Sequence, residues 1–151
     1  MAKNYDEILP RLYLGGTNPE NDYSSRPAAK PSRYPYLDVV FTFHENASAV
    51  TGNTLEVRYH FDDDWNHGLA PENFARINEV AKMAHSAWKD GHRVLLRCQG
   101  GRNRSGLVMG VVLLLEGYTS ETAINLMREK RSPEVLFNEH FVRALHEWKL
   151  K

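Results

Sequence analysis

The sequence predicts an α/β domain with a central, mostly parallel sheet flanked by helices, and three observations carry that expectation. Val94-Leu95-Leu96 is a short apolar run bounded by polar residues, the pattern of a strand buried on both faces of a parallel sheet. Gly106 to Leu115 is apolar nearly all round, so it reads as a buried helix, and it is far too short to cross a bilayer. Along the rest of the chain, segments of strand periodicity and of helical periodicity follow one another, as an α/β domain requires.

In chain order, Ile8 to Gly16 carries Leu12 and Leu14 alternating with Arg11 and Tyr13, which predicts an edge strand ending at Gly15-Gly16. Asn18 to Pro35 contains Pro19, Pro27, Pro31 and Pro35, too many prolines for a long helix, so a surface connection is expected. Asp38 to Phe43, with Val39, Val40 and Phe41, predicts a second strand. Leu55, Val57, Tyr59 and Phe61 alternate with Glu56, Arg58 and His60 at a period of two, a third strand. Pro71 suits the first turn of a helix in which Phe74, Ile77, Val80, Ala81, Ala84 and Trp88 recur at helical spacing until Gly91. Thr119 can cap the next helix, with Glu121 in its first turn and Arg128, Lys130 and Arg131 near its end, where each charge suits the helix dipole. Asn138 can cap a last helix carrying Phe141, Leu145 and Trp148.

With 151 residues the chain is expected to be one domain, residues 1–151, long enough to bury a core. Lys plus Arg and Asp plus Glu both number 19, so the balance gives no support to a general nucleic-acid or membrane-surface binder. A monomer is expected. One cysteine excludes an internal disulfide, and the N-terminus has no apolar signal region, so a cytoplasmic setting is expected. The seven histidines lack metal-ligand spacing, and neither a metal nor another cofactor is expected.

The chemistry concentrates between the buried strand and the buried helix, in Arg97-Cys98-Gln99-Gly100-Gly101-Arg102-Asn103-Arg104-Ser105. A loop at that place in an α/β domain holds anions, because loop N–H groups converge there and the helix adds partial positive charge. Gly100 and Gly101 allow the backbone to curl without Cβ clashes. Arg104 can grip a phosphate through two parallel hydrogen bonds. Cys98 lies at the bottom of the cradle, and surroundings that bind a phosphate dianion also favour the thiolate, the nucleophilic form of a cysteine.

Cys98-Gln99-Gly100-Gly101-Arg102-Asn103-Arg104-Ser105 resembles the signature loop of the cysteine-dependent protein tyrosine phosphatase superfamily, His-Cys-x-x-Gly-x-x-Arg-Ser/Thr. The size and order of the chain resemble its dual-specificity branch, and Leu-Tyr-Leu-Gly-Gly at 12–16 is similar to the opening strand of that branch. The resemblance implies a phosphatase-type three-layer domain. It also implies a phosphomonoester hydrolase working through a phosphocysteine, with Cys98 as nucleophile. Arg104 and the loop Gln99, Gly100, Gly101, Arg102 and Asn103 would hold the phosphate, and Ser105 would assist release of the sulfur. Arg97 departs from the family histidine; a cation there is expected to favour the thiolate.

Ester cleavage also needs a proton for the leaving oxygen, and Asp62-Asp63-Asp64 follows a strand and precedes a helix, where loops over such a site originate. Any of the three could serve on the residues alone. The resemblance implies Asp63, two positions after Phe61, with Asp62 and then Asp64 behind it. Three adjacent carboxylates are expected to raise one another's pKa. Trp65 could wall the pocket for an aromatic substrate or simply staple the loop to the core. Phosphotyrosine, phosphoserine or phosphothreonine proteins are the expected substrates. Arg102 and the Gly101-Arg102-Asn103-Arg104 turn are also similar to features of phosphoinositide phosphatases and RNA 5′-phosphatases, and a non-catalytic phosphate-binding module is a further alternative.

Overall fold

The structure is a computed structural model that describes residues 4–17 and 32–150. Among the described residues, seven strands and four helices follow in the order β1 (Tyr5–Leu9), β2 (Leu12–Gly16), β3 (Ser32–Arg33), β4 (Val39–Thr42), β5 (Val50–Thr51), β6 (Leu55–Arg58), α1 (Pro71–Lys89), β7 (Val94–Cys98), α2 (Arg104–Glu116), α3 (Ser120–Lys130) and α4 (Glu139–His146). Five strands form the main sheet in the order β1-β2-β7-β4-β6, and β3 pairs with β5 in a separate ribbon. Every main-sheet pairing is parallel except β1 with β2. The expectation of a connection over Asn18 to Pro35 falls mostly outside the described residues; within them, Ser32–Arg33 is the strand β3.

Two strand expectations need correction. Ile8 to Gly16 is not one edge strand but parts of two, folded back at Pro10-Arg11. Pro10 has no N–H to give a ladder, and Arg11 turns the chain with φ 71° while its backbone N–H donates to Glu7 Oε2 at 3.0 Å. The edge is therefore β1, and β2 lies inside the sheet against β7. The alternation from Leu55 to Phe61 is regular strand only over Leu55–Arg58, and at the free edge Leu55 is 69% exposed, whereas Phe61 is buried.

Side chains alternate across each strand, and the two faces are covered differently. Leu12 and Leu14, Phe41 and Phe43, and Val94, Leu96 and Cys98 join one core with the buried residues of all four helices, such as Ile77, Val111, Met127 and Phe141. Val40 and Leu95 face the other way, into a smaller cluster with Leu37, Tyr5, Tyr13, Tyr34 and Val50. The three layers are thus the helices, the main sheet, and a cover that includes the β3–β5 ribbon. Among the described residues no helix is long and apolar enough to cross a membrane.

Arg97 follows this alternation. Its neighbour Cys98 points to the helices, so Arg97 points to the opposite face, where it is fully buried. Its five N–H donors are all used: Nε on Thr42 Oγ1 at 2.9 Å, Nη1 on Ser32 Oγ at 3.3 Å and Tyr34 Oη at 3.1 Å, and Nη2 on Ser48 O at 2.7 Å and Glu56 Oε2 at 3.1 Å. Burial alone would raise the Glu56 carboxyl. Hydrogen bonds from Thr42 and the Val50 N–H, with the charges of Arg58 and Arg97, outweigh it and hold the group below the usual carboxylate range. The expectation that Arg97 is a cation beside the thiolate is therefore corrected: strand geometry turns it away, and its charge is spent on Glu56.

A buried pair is costly to break from one side because the surviving charge is left unpaired. Arg97→Ala should lower stability by about 3–5 kcal/mol, and Glu56→Gln should destabilise through the same pair, both read from urea unfolding. Arg97→Lys should not rescue fully, since three donors cannot replace five.

Candidate active site

The loop between β7 and α2 forms the floor of an open cavity of about 510 Å³, whose walls include Cys98, Arg104, Asp63, Trp65 and Phe137. Cys98 ends β7 and is 2% exposed, so its sulfur is reached only through this cavity. The N–H groups in the first turn of α2, at Arg104, Ser105 and Gly106, have no helical partner and add a positive end to the floor. Ser105 is fully buried with Oγ 3.1 Å from Cys98 Sγ and 3.5 Å from Gly15 O, so its one hydroxyl proton can serve either the sulfur or that carbonyl. Arg104 Nε is buried without a partner among the described residues, a donor that the protein itself leaves unsatisfied at the cavity.

The two loop glycines are not equivalent. Gly101 sits at φ 69°, and a Cβ there would come within 2.4 Å of Gly15 C and 2.6 Å of Gly16 N. The end of β2 thus presses directly on the loop: a Cβ on Gly16 would meet Gln99 O at 2.7 Å, whereas one on Gly15 would meet Asn4 O and Tyr5 Cβ at 2.5 Å. At Gly100 an added Cβ would meet only Arg102 Cδ at 4.0 Å, so the expectation that both glycines are needed for the curl holds sterically for Gly101 alone.

A residue that sequence reasoning assigned only to a helix dipole holds this loop. Arg131, just past α3, donates from Nε to Gly101 O at 2.8 Å and from Nη2 to Gly100 O at 3.2 Å. It is tied in turn to Asp6 Oδ2 at 2.8 Å and Asn4 Oδ1 at 2.9 Å. Carbonyl and following N–H point in opposite directions across a planar peptide. Drawing these two carbonyls toward Arg131 therefore turns the N–H groups of Gly101 and Arg102 away from it. Arg102 itself directs its guanidinium to Glu134 at 2.8 Å, and Gln99 and Asn103 also line the cavity.

The three aspartates have three different partners. Asp62 is 87% exposed at its side chain and pairs with His60 at 3.2 Å. Asp64 Oδ1 accepts the N–H groups of His67 at 2.9 Å and Asn66 at 2.8 Å, which hold its carboxyl below the usual range. The expectation that the three raise one another is not met for Asp64, because local N–H donors outweigh its neighbours. Asp63 alone lines the cavity with Cys98, its carboxylate bonded to Asn103 and Asn138. Beside it, Trp65 and Phe137 pack with ring centroids 4.6 Å apart and remain 50% and 44% exposed, an aromatic wall rather than a core staple.

His44, after β4, is buried, with Nε2 lacking a partner among the described residues. Burial first, and then the Arg104 charge, push its pKa down to about 4. Among the described residues no group of three His, Cys, Asp or Glu side chains is placed to hold a metal ion. Cys98, Arg104 and Asp63, the residues expected as nucleophile, phosphate grip and acid, thus line one cavity.

The profile of the dual specificity phosphatase catalytic domain matches residues 35–151. Protein 123R of invertebrate iridescent virus 6, which carries a tyrosine phosphatase name, is 28% identical over 74 residues, covering 48% of this chain and 51% of that relative. The match thus spans about half the length of that relative. Among solved structures, human DUSP28 superposes with a TM-score of 0.74 at 18% identity, covering 98% of this chain and 94% of that one. PTPMT1 in complex with PI(5)P gives 0.71 at 15% identity, covering 97% and 94%. A human tyrosine phosphatase-like serine/threonine/tyrosine-interacting protein gives 0.70 at 18%, covering 95% and 94%. At these identities the superpositions speak to the fold.

Two measurements check this geometry. Gly101→Ala should cost about 1–2 kcal/mol from the left-handed backbone alone, with more from the contact on β2, and should impair phosphate binding by calorimetry; Gly100→Ala should leave stability nearly unchanged. His44 stays neutral in the folded chain down to about pH 4, whereas its ordinary value is 6.5. Between these values the unfolded chain binds more protons, so stability falls as pH is lowered through that window, with no further loss from this group below it. His44→Gln should flatten the fall in urea midpoint between about pH 6.5 and pH 4.

Proposed function

The chain belongs to the dual-specificity phosphatase catalytic-domain family, and from that premise we propose that it hydrolyses phosphomonoesters through a phosphocysteine, with phosphorylated protein as substrate and phosphotyrosine preferred. The observation that carries this reading is the convergence of Cys98, the unpartnered Nε of Arg104 and the carboxylate of Asp63 on one cavity.

In the first step the Cys98 thiolate forms the S–P bond while the ester P–O bond breaks, and Asp63 gives its proton to the departing oxygen. Arg104 and the loop N–H groups hold the equatorial oxygens, where charge accumulates. Water then attacks phosphorus, Asp63 takes its proton, and the S–P bond breaks. The Ser105 hydroxyl at 3.1 Å steadies the departing thiolate. The products are the free phenol or alcohol and inorganic phosphate. A cytoplasmic setting would keep the lone thiol reduced.

Two features support an aryl phosphate bearing a single phosphate. Trp65 and Phe137 offer apolar ring surface beside the acid, where a tyrosine ring would lie. The other cations at the cavity are already paired, Arg102 with Glu134 and Arg131 with Asp6, which disfavours inositol lipids with extra phosphates and 5′-triphosphorylated RNA. The convergence of nucleophile and acid disfavours a binding-only module.

The test is turnover of a panel: phosphotyrosine, phosphoserine and phosphothreonine peptides, an inositol lipid and triphosphorylated RNA. Phosphotyrosine peptide should give the highest kcat/KM. Cys98→Ser should abolish turnover of every substrate while still binding phosphate. Wild-type-like turnover by Cys98→Ser would overturn the covalent route, and a preference for the lipid or RNA would overturn the substrate.

A further inference from the structure

Asp63 is held by two amides whose orientation leaves no alternative. Asn103 Nδ2 donates to Asp63 Oδ2 at 2.9 Å, and Asn138 Nδ2 donates to Asp63 Oδ1 at 2.7 Å. An amide side chain has one acceptor end and one donor end, and here both acceptor ends are taken by main-chain donors. Asn103 Oδ1 accepts the backbone N–H of Asn138 at 3.0 Å, and Asn138 Oδ1 accepts that of His140 at 3.0 Å. The donor ends must therefore face the carboxylate. Asn138 Nδ2 also lies 3.3 Å from Asp64 O, so it grips the backbone of the acid loop as well as its side chain.

The three residues come from three separate elements. Asn103 is the last residue of the phosphate loop, at the cap of α2, where its side chain makes no cap hydrogen bond. Asp63 follows β6, and Asn138 caps α4. The contacts join positions 40 and 75 residues apart, and Asn103 and Asn138 are completely or almost completely buried. A buried polar ring with every end satisfied fixes the torsion of the carboxylate. Each oxygen of Asp63 spends one lone pair on an amide and keeps the other for a proton.

We propose that the side chains of Asn103 and Asn138 are positioning residues that aim Asp63 at the leaving oxygen, registering the proton donor on the same loop that holds phosphorus. The proposal rests on the reading of Asp63 as the acid. Its consequence is that the acid is set before substrate arrives, because every bond of the ring is internal to the protein.

The test is a double-mutant cycle read on two substrates, an alkyl phosphate whose leaving group needs a proton and an activated aryl phosphate whose leaving group does not. Asn138→Ser keeps a helix-capping oxygen but cannot reach Asp63, and Asn103→Ala removes no side-chain cap bond of α2 while taking the acceptor from the Asn138 N–H. Each should lower kcat on the alkyl phosphate by up to about 100-fold, the cost of a displacement of about 1 Å in a reacting group, with a much smaller loss on the aryl phosphate. In an Asp63→Asn background the same changes should cost nothing further on either substrate. Inhibition by inorganic phosphate should be unchanged in Asn138→Ser, and circular dichroism melts establish that each variant is folded. Equal losses on both substrates, or losses that persist in the Asp63→Asn background, would overturn the positioning role while leaving the acid in place. Absence of any leaving-group dependence in Asp63→Asn itself would overturn the acid, and the positioning role with it. Should Asn138→Ser fail to fold, Asn103→Ala alone decides through the same cycle.

Discussion

The contact between the end of β2 and the phosphate loop is the constraint on which the site depends. Gly15 and Gly16 lie beside Gly101 so closely that no side chain could be inserted between them, and Gly15 O is also within reach of the Ser105 hydroxyl. β2 runs parallel to β7 with Gly16 opposite Cys98, so the strand that supports the nucleophile and the strand that presses on its loop are hydrogen-bonded neighbours in register. From the other side Arg131 takes up the loop carbonyls. The loop is thus shaped by what stands behind it together with the positive φ of its own Gly101, and both are internal to the protein.

The sheet separates two uses of arginine. Arg104 lines the cavity and keeps a buried Nε donor without a partner among the described residues, an energetic liability that an acceptor brought to that donor would relieve. Arg97, seven residues earlier, has every donor satisfied and serves only to fasten β3, β4, β6 and the segment at Ser48 to one another. One guanidinium is kept for a ligand and the other for the fold, and only the alternation of a strand decides which is which.

Local patterning made much of this legible in the sequence. Val94-Leu95-Leu96, Pro71, Thr119 and Asn138 mark their elements through apolar runs and caps, and these signals act over a few residues. Cys98, Arg104 and Asp63, read from the sequence as one constellation, all line one cavity. What was illegible is long-range. Nothing in Pro10-Arg11 announces that β2 would lie inside the sheet, because strand order is set by pairing partners far along the chain. Arg97 was misread because a cation next to a cysteine in sequence is on the opposite face of a strand. Arg131 and Asn138 looked like helix-end residues, and their local chemistry is that; their second partners are supplied only by the tertiary fold.

Arg131 reaches residues 125 and 127 positions away, at Asp6 and Asn4, in the same set of bonds that holds Gly100 and Gly101. Such pairings carry the largest loop-closure cost in a folding chain and form only when distant segments have been gathered. A ribosome-bound chain that has released β7 and α2 already possesses the cysteine, the arginine and the acid. It lacks the brace until the segment after α3 emerges and meets the first strand. The brace behind the loop is consequently among the last contacts the polypeptide can complete, whatever its other parts have already formed.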